Sequence, residues 1–177
     1  MSEILYRTAP LLRADMVTGR TIHGLAVPYG VETDVSGYTE RFQYGAFAKS
    51  IRQRGDKVKL FTGHQHSKLP IGRATDLHEA ADGLHAAFLV SDTRDGNEAL
   101  QLVRDGVVDS FSIGFKPITD QRDGNVVVRT EAALMEVSLV GIPAYPGAVV
   151  AGVRSHPQNL SVDIARRRID LLLHTWT

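Results

Sequence analysis

Asp109-Ser110-Phe111-Ser112-Ile113-Gly114-Phe115 alternates with a period of two, so Phe111, Ile113 and Phe115 share one face of a strand while Ser110 and Ser112 share the other. One face suits a hydrophobic core, and the other carries hydroxyls. The bland account is a half-buried strand whose serines meet water. Gly114 counts against it, because glycine inside a strand often marks the close approach of a ligand or another backbone. A second strand signal lies downstream in Leu134-Met135-Glu136-Val137-Ser138-Leu139-Val140, ended by Gly141-Ile142-Pro143. Glu136 is the odd residue in that apolar run. A carboxylate there must find a cation or a histidine, or bear a desolvation cost of several kcal/mol.

Around these two strands the chain reads as β-rich with short helices between. Thr21 to Val27 is β-branched and apolar up to a Pro28-Tyr29-Gly30 turn, which predicts an early hairpin. Ala46, Phe47 and Ile51 fit a helical period that stops at Gly55. Lys57 to Phe61 alternates as a strand. Ile71 to Leu77 and Leu84 to Val90 form a second predicted hairpin about Asp82-Gly83. Gly96 to Arg104 places Ala99, Leu100 and Val103 on one helical face, closed by Gly106. Val107 to Phe115, Val126 to Arg129 and Ala132 to Val140 return to strand. Residues 1–155 are expected to be one domain. Residues 156–177 are expected to form a terminal amphipathic helix, with Ser161 as N-cap and Val162, Ile164, Ala165, Ile169, Leu172 and Leu173 as an apolar stripe able to dock or self-associate.

The bulk composition narrows the function. At 177 residues, with 43% hydrophobic and 23% charged residues, the chain can bury its own core. Twenty basic residues balance twenty acidic ones, so no global field draws it to nucleic acid or an anionic membrane. Cysteine is absent, which removes thiol nucleophiles, disulfides and thiolate metal sites, and fits a reducing cytoplasm. The charged N-terminal segment lacks the apolar stretch of a signal peptide, and no transmembrane helix is expected.

A further candidate segment is Phe61-Thr62-Gly63-His64-Gln65-His66-Ser67-Lys68-Leu69-Pro70-Ile71-Gly72, with histidines at a strand end. An imidazole is the usual general base near neutral pH, although a surface turn with two ordinary histidines has the same appearance. Taken in order, His64, Ser112 and Glu136 offer a base, a nucleophile and an acid to orient the base. His66, His85 and Asp109 stay open as alternatives for the third part. A His64-Gln65-His66 pair could instead begin a metal-dependent barrel enzyme, but no glutamate follows it at the spacing such sites use.

The strings GHQHSKLPIG, DGLHAAF, FSIGF and LMEVSLVGIPAYPGA, in this order, resemble the prohead maturation proteases of tailed phages and gene transfer agents; YTERFQYGAF, before the first helix, is also similar to that family. The resemblance spans about Gly24 to Ala148. It implies an α+β, β-rich fold, a closed β-barrel of herpesvirus-protease type surrounded by short helices. It also implies a serine endopeptidase that cleaves the major capsid protein's scaffolding segment, and itself, inside the assembling procapsid in the host cytoplasm. Carried over by residue, His64 is the family's histidine and Ser112 its serine. Herpesvirus relatives use a second histidine where the matching strand here offers Glu136. Gly141 and Ile142 match the turn that supplies an oxyanion hole, without the paired arginines of those relatives. No cofactor, metal, nucleic acid or membrane is implied. The alternatives are the metal enzyme using His64 and His66, and a non-catalytic capsid-assembly protein of the same fold.

Overall fold

The structure, a computed structural model, describes residues 4–10, 19–35, 37–141 and 150–154. In chain order these form β1 (Leu5–Pro10), β2 (Thr21–Pro28), β3 (Thr33–Val35), β4 (Tyr38–Phe42) and α1 (Ala48–Arg54), which runs into a short 3-10 turn. Then follow β5 (Lys59–Thr62), β6 (Gly72–Ala80), β7 (Gly83–Val90), α2 (Arg94–Arg104), β8 (Ser110–Asp123), β9 (Val126–Val140) and β10 (Val150–Arg154). The expected terminal helix and the boundary at residue 155 lie outside the described residues.

The strands make a single sheet in the order β1-β8-β9-β5-β6-β7-β2-β10, with β4 added to β9 and β3 to β4. The sheet curls until β1 and β8 come back against β2. The result is a β-rich half-barrel with few helices. Closure, which the resemblance implied, is not seen: among the described residues no ladder joins β1 to β10, the two ends of the path.

β9 organises the molecule. One edge pairs antiparallel with β8 along nearly its whole length. The other edge is shared by two parallel neighbours, β4 against Val126 to Arg129 and β5 against Val137 to Leu139. Between them the backbone donors of β9 need partners, since a buried amide without one is costly. The segment at α1 supplies them: Ala132 N donates to the Ala46 carbonyl at 2.8 Å, and Leu134 N to the buried Ser50 hydroxyl at 2.9 Å.

The aromatic core gathers under this sheet. Phe42 stacks on Phe47 and meets the edge of Phe115, while Phe88 meets Phe111 edge-on. All five are fully buried, as are Ile113, Leu60 and Leu134. Burying such side chains contributes about 1.5–3 kcal/mol each.

Three expectations change in detail. The early hairpin does not form; β2 pairs with β7 and β10, and after Pro28 the chain passes to a bridge between Tyr29 and Phe42. A register shift between Leu25 and Val27 accompanies their burial in succession with Ala26. β8 runs on past Pro117 to Asp123, and its ladder with β9 slips beside that proline, which donates no hydrogen bond. Val126–Val140 is accordingly one strand rather than two. The hairpin about Asp82-Gly83 forms as read, with Gly83 at φ 155°. So does the second helix, starting two residues early on Thr93, whose hydroxyl accepts the Gly96 N–H, and followed by Gly106 at φ 69°.

Candidate active site

The site is assembled where β5, β8 and β9 lie side by side. Ladder register puts Ser112 opposite Ser138 and Gly114 opposite Glu136, so the period of two aims Ser112, Glu136 and Ser138 to one face. Thr62 ends β5 against Leu139, and the chain then leaves through a tight turn in which Gln65 N donates to the Thr62 carbonyl at 3.1 Å. Its two central residues, Gly63 and His64, have φ of 54° and 56°. A turn of this hand needs positive φ at both positions, which is free for glycine and costs a residue with a Cβ about 1–2 kcal/mol. Gly63 therefore serves the turn that swings His64 back over β9.

His64 Nε2 lies 2.6 Å from Ser112 Oγ, and its Nδ1 lies 2.6 Å from Glu136 Oε1. Serine, imidazole and carboxylate form one unbroken line of hydrogen bonds. Ser112 is 1% exposed and Glu136 4%, so water screens neither end. In such surroundings hydrogen bonds to a charged group are stronger than in water. The expected hydroxyl face of β8 is thus not the wet face of a half-buried strand. Both faces of Ser110–Phe115 are buried: Phe111, Ile113 and Phe115 enter the core, and Ser112 faces the His64 ring.

Gly114 has its reason here. A Cβ at that position would come within 2.8 Å of Glu136 Oε1 and 3.2 Å of the Tyr6 ring. The close approach inferred from sequence is made by the Glu136 carboxylate rather than by a backbone. Tyr6, on β1, lies with its ring centroid 4.3 Å from that of His64 and covers one side of the imidazole. Burial, and then the Glu136 charge, hold its phenol above the ordinary value, so Tyr6 stays neutral.

The side chains of the alternatives for the third part make other contacts. His66 is half-exposed, with Nε2 3.7 Å from Glu136 Oε1 and its ring edge-on to Phe61. His85 stacks on His78 and bonds Asp82 on the β6–β7 hairpin. Asp109 accepts a hydrogen bond from the Ser110 hydroxyl. Both ring nitrogens of His64 are engaged by Ser112 and Glu136. No group of three metal-ligating side chains occurs among the described residues. Gly141 follows directly on β9 and is exposed, whereas Ile142 lies outside the described residues.

Two residues escaped the sequence reading. Ser138 Oγ accepts the His64 backbone N–H at 3.1 Å and donates to Glu136 Oε2 at 2.8 Å. Its spacing of two from Glu136 was the available signal. Tyr6 had none, because its place depends on β1 pairing with β8 across more than a hundred residues.

Residues 11–161 match the family model described as caudovirus prohead serine protease. The chain belongs to that family. Among known relatives it is 27% identical over 115 residues to the prohead protease of Enterobacteria phage HK97, covering 63% of this chain and 51% of that protein. It is 31% identical over 86 residues to the prohead protease of Escherichia phage T5, covering 48% and 40%. The chain thus spans about half the length of the relatives it matches. The solved capsid assembly protease of bacteriophage T4 shares the fold, with a TM-score of 0.53 at 10% identity, over 88% of this chain and 98% of that one. No described helix is long and apolar enough to cross a membrane.

Proposed function

We propose that this chain is a serine endopeptidase of procapsid maturation, in which Ser112 attacks the peptide carbonyl, His64 is general base and then general acid, and Glu136 orients the imidazole. The observation that carries the reading is the 2.6 Å spacing on both sides of the His64 ring. A neutral imidazole with its Nδ1–H donated to Glu136 presents the Nε2 lone pair to the Ser112 hydroxyl. As Oγ bonds to the carbonyl carbon, its proton passes to Nε2, and the imidazolium is stabilised by the buried carboxylate. The same proton then goes to the leaving amine when the C–N bond breaks. Water, deprotonated by the imidazole, clears the acyl-enzyme, and its proton returns to Ser112 as the acid product leaves.

The negative charge on the carbonyl oxygen needs backbone donors, and the amides of Gly141 and Ile142, beyond the end of β9, are the proposed source. Family membership supports the scaffolding segment of the major capsid protein, and the chain itself, as substrates inside the assembling procapsid in the host cytoplasm. Enclosure with substrate raises its effective concentration and lessens the rate the site must supply. The herpesvirus-type barrel is the proposed fuller fold, and residues 1–155 the proposed protease domain.

The test is co-expression with the cognate capsid protein, with mass spectrometry of both chains. Cleavage is expected with the wild type. For Ser112→Ala, processing is expected to fall by about 10⁴-fold or more. Full processing by that variant removes Ser112 as nucleophile, and uncut scaffold with the wild-type chain favours a non-catalytic assembly role.

A further inference from the structure

We propose that Ser138 is a positioning residue of the same centre, an inference that rests on the catalytic reading above. Ser138 is fully buried on β9, two residues beyond Glu136 and on the same face, while its neighbours Val137 and Leu139 turn into the core. A hydroxyl has one proton and two lone pairs. The directions of its two bonds are fixed by chemistry. The His64 backbone N–H can only donate, so Oγ accepts from it at 3.1 Å. An ionised carboxylate can only accept, so the Ser138 proton goes to Glu136 Oε2 at 2.8 Å.

These bonds close a ring. From Ser138 Oγ it runs to the Glu136 carboxylate, from Oε1 to His64 Nδ1, through the imidazole to the His64 main chain, and from N–H back to Oγ. One atom therefore holds both ends of the acid–base pair: the rotation of the carboxylate and the backbone from which the imidazole hangs. That backbone needs holding, because His64 sits at φ 56°, where side chains other than glycine's are disfavoured. With Ser138 removed, Oε2 and the His64 N–H both lose this partner, and the carboxylate is free to turn away from Nδ1. Ser112, opposite Ser138 in the ladder, takes no part in the ring and keeps its own bond to His64 Nε2. Binding of the substrate should stay the same while the chemical step slows.

The experiment measures kcat and KM on a peptide spanning a cut site mapped by the mass spectrometry above. Ser138→Ala, Ser138→Cys and Ser138→Thr are compared in the wild-type background, and Ser138→Ala also in Glu136→Gln. Ser138→Ala is expected to lower kcat about 10–100-fold with KM within about twofold. Ser138→Cys, which fills the same space with a weak donor, is expected to lose a similar amount, and Ser138→Thr, which keeps the hydroxyl, to recover most of the rate. In Glu136→Gln the ring is already broken, so Ser138→Ala should cost less than about threefold further. An undiminished kcat in Ser138→Ala overturns the proposal. So does the same fold-loss in both backgrounds, which marks a merely structural effect. If the alanine variant does not fold, a wild-type rate in Ser138→Cys overturns it equally. An active Ser112→Ala removes the catalytic reading itself, whereas an inactive Ser112→Ala beside a fully active Ser138→Ala removes the positioning role alone.

Discussion

Glu40 and Glu136 are both carboxylates buried in one sheet, 0% and 4% exposed, but their partners differ. Glu40, on β4, is paired with Arg7 from β1 and with Arg129 from β9, whose Nη2 lies 2.7 Å away. Arg129 also reaches Asp120 at 2.6 Å, and the Tyr38 hydroxyl accepts from both arginines. Both guanidinium groups lie within 6 Å of the Phe115 ring. These cations are permanent, so the cluster is a clamp that ties β1, β4 and β9 together. Glu136 faces an imidazole, two hydroxyl-bearing strands and no arginine or lysine within bonding distance among the described contacts. In the proposed mechanism a partner that can gain and lose a proton lets this buried carboxylate orient the imidazole of a serine–histidine proton relay. β1 serves both clusters, sending Arg7 to the clamp and Tyr6, one residue earlier, to the imidazole.

Exchanging each carboxylate for its amide is the sharpest way to break this contrast. Glu136→Gln is expected to lower kcat about 10³–10⁴-fold, with the thermal midpoint little changed, when peptide turnover and calorimetry are run on one preparation. Glu40→Gln should do the reverse. Leaving two buried guanidiniums short of a counter-charge is expected to cost about 3–5 kcal/mol in denaturant unfolding, with the rate per folded molecule kept within about threefold. If Glu40→Gln slowed the folded enzyme as much as Glu136→Gln does, the division into clamp and relay would be wrong. Gly114→Ala tests the relay from the opposite strand, because its methyl group would push on Glu136 Oε1. A loss of about 10²-fold in kcat is expected, smaller once Glu136 is already glutamine. The smallest effect belongs to His66→Ala. Its ring lies 3.7 Å from Glu136 but is half-exposed, so kcat should change less than about threefold, and a larger fall would make His66 a second orienting group.

Much of the site was legible along the chain. A lone glutamate in the apolar run from Leu134 to Val140 announced a buried partner, and the alternation of Ser110 to Phe115 announced a sheet with hydroxyls on one side. Gly114 was legible as a close approach, although not what approaches it. Less legible were the long strands. Pro117 and Thr130-Glu131 look like breaks, and only the bulged ladder between β8 and β9 carries the strands through them. β2 read as half of a local hairpin because sequence shows its nearest neighbours, whereas its real partners begin at Gly83 and Val150.

Local chemistry, then, was written in the order of residues: which strands alternate, which turns need glycine, which polar groups cannot stay alone in an apolar run. Pairing across the sheet was not. That His64 meets Ser112 and Glu136 rather than water follows from β5 lying parallel to β9 and from a turn at positive φ, and that Glu40 meets two arginines follows from β1 and β9 each bringing one to β4 beside the Phe115 ring. Side-chain periodicity acts over a few residues, but the partner of a buried charge is chosen by strand register, which only the folded sheet sets.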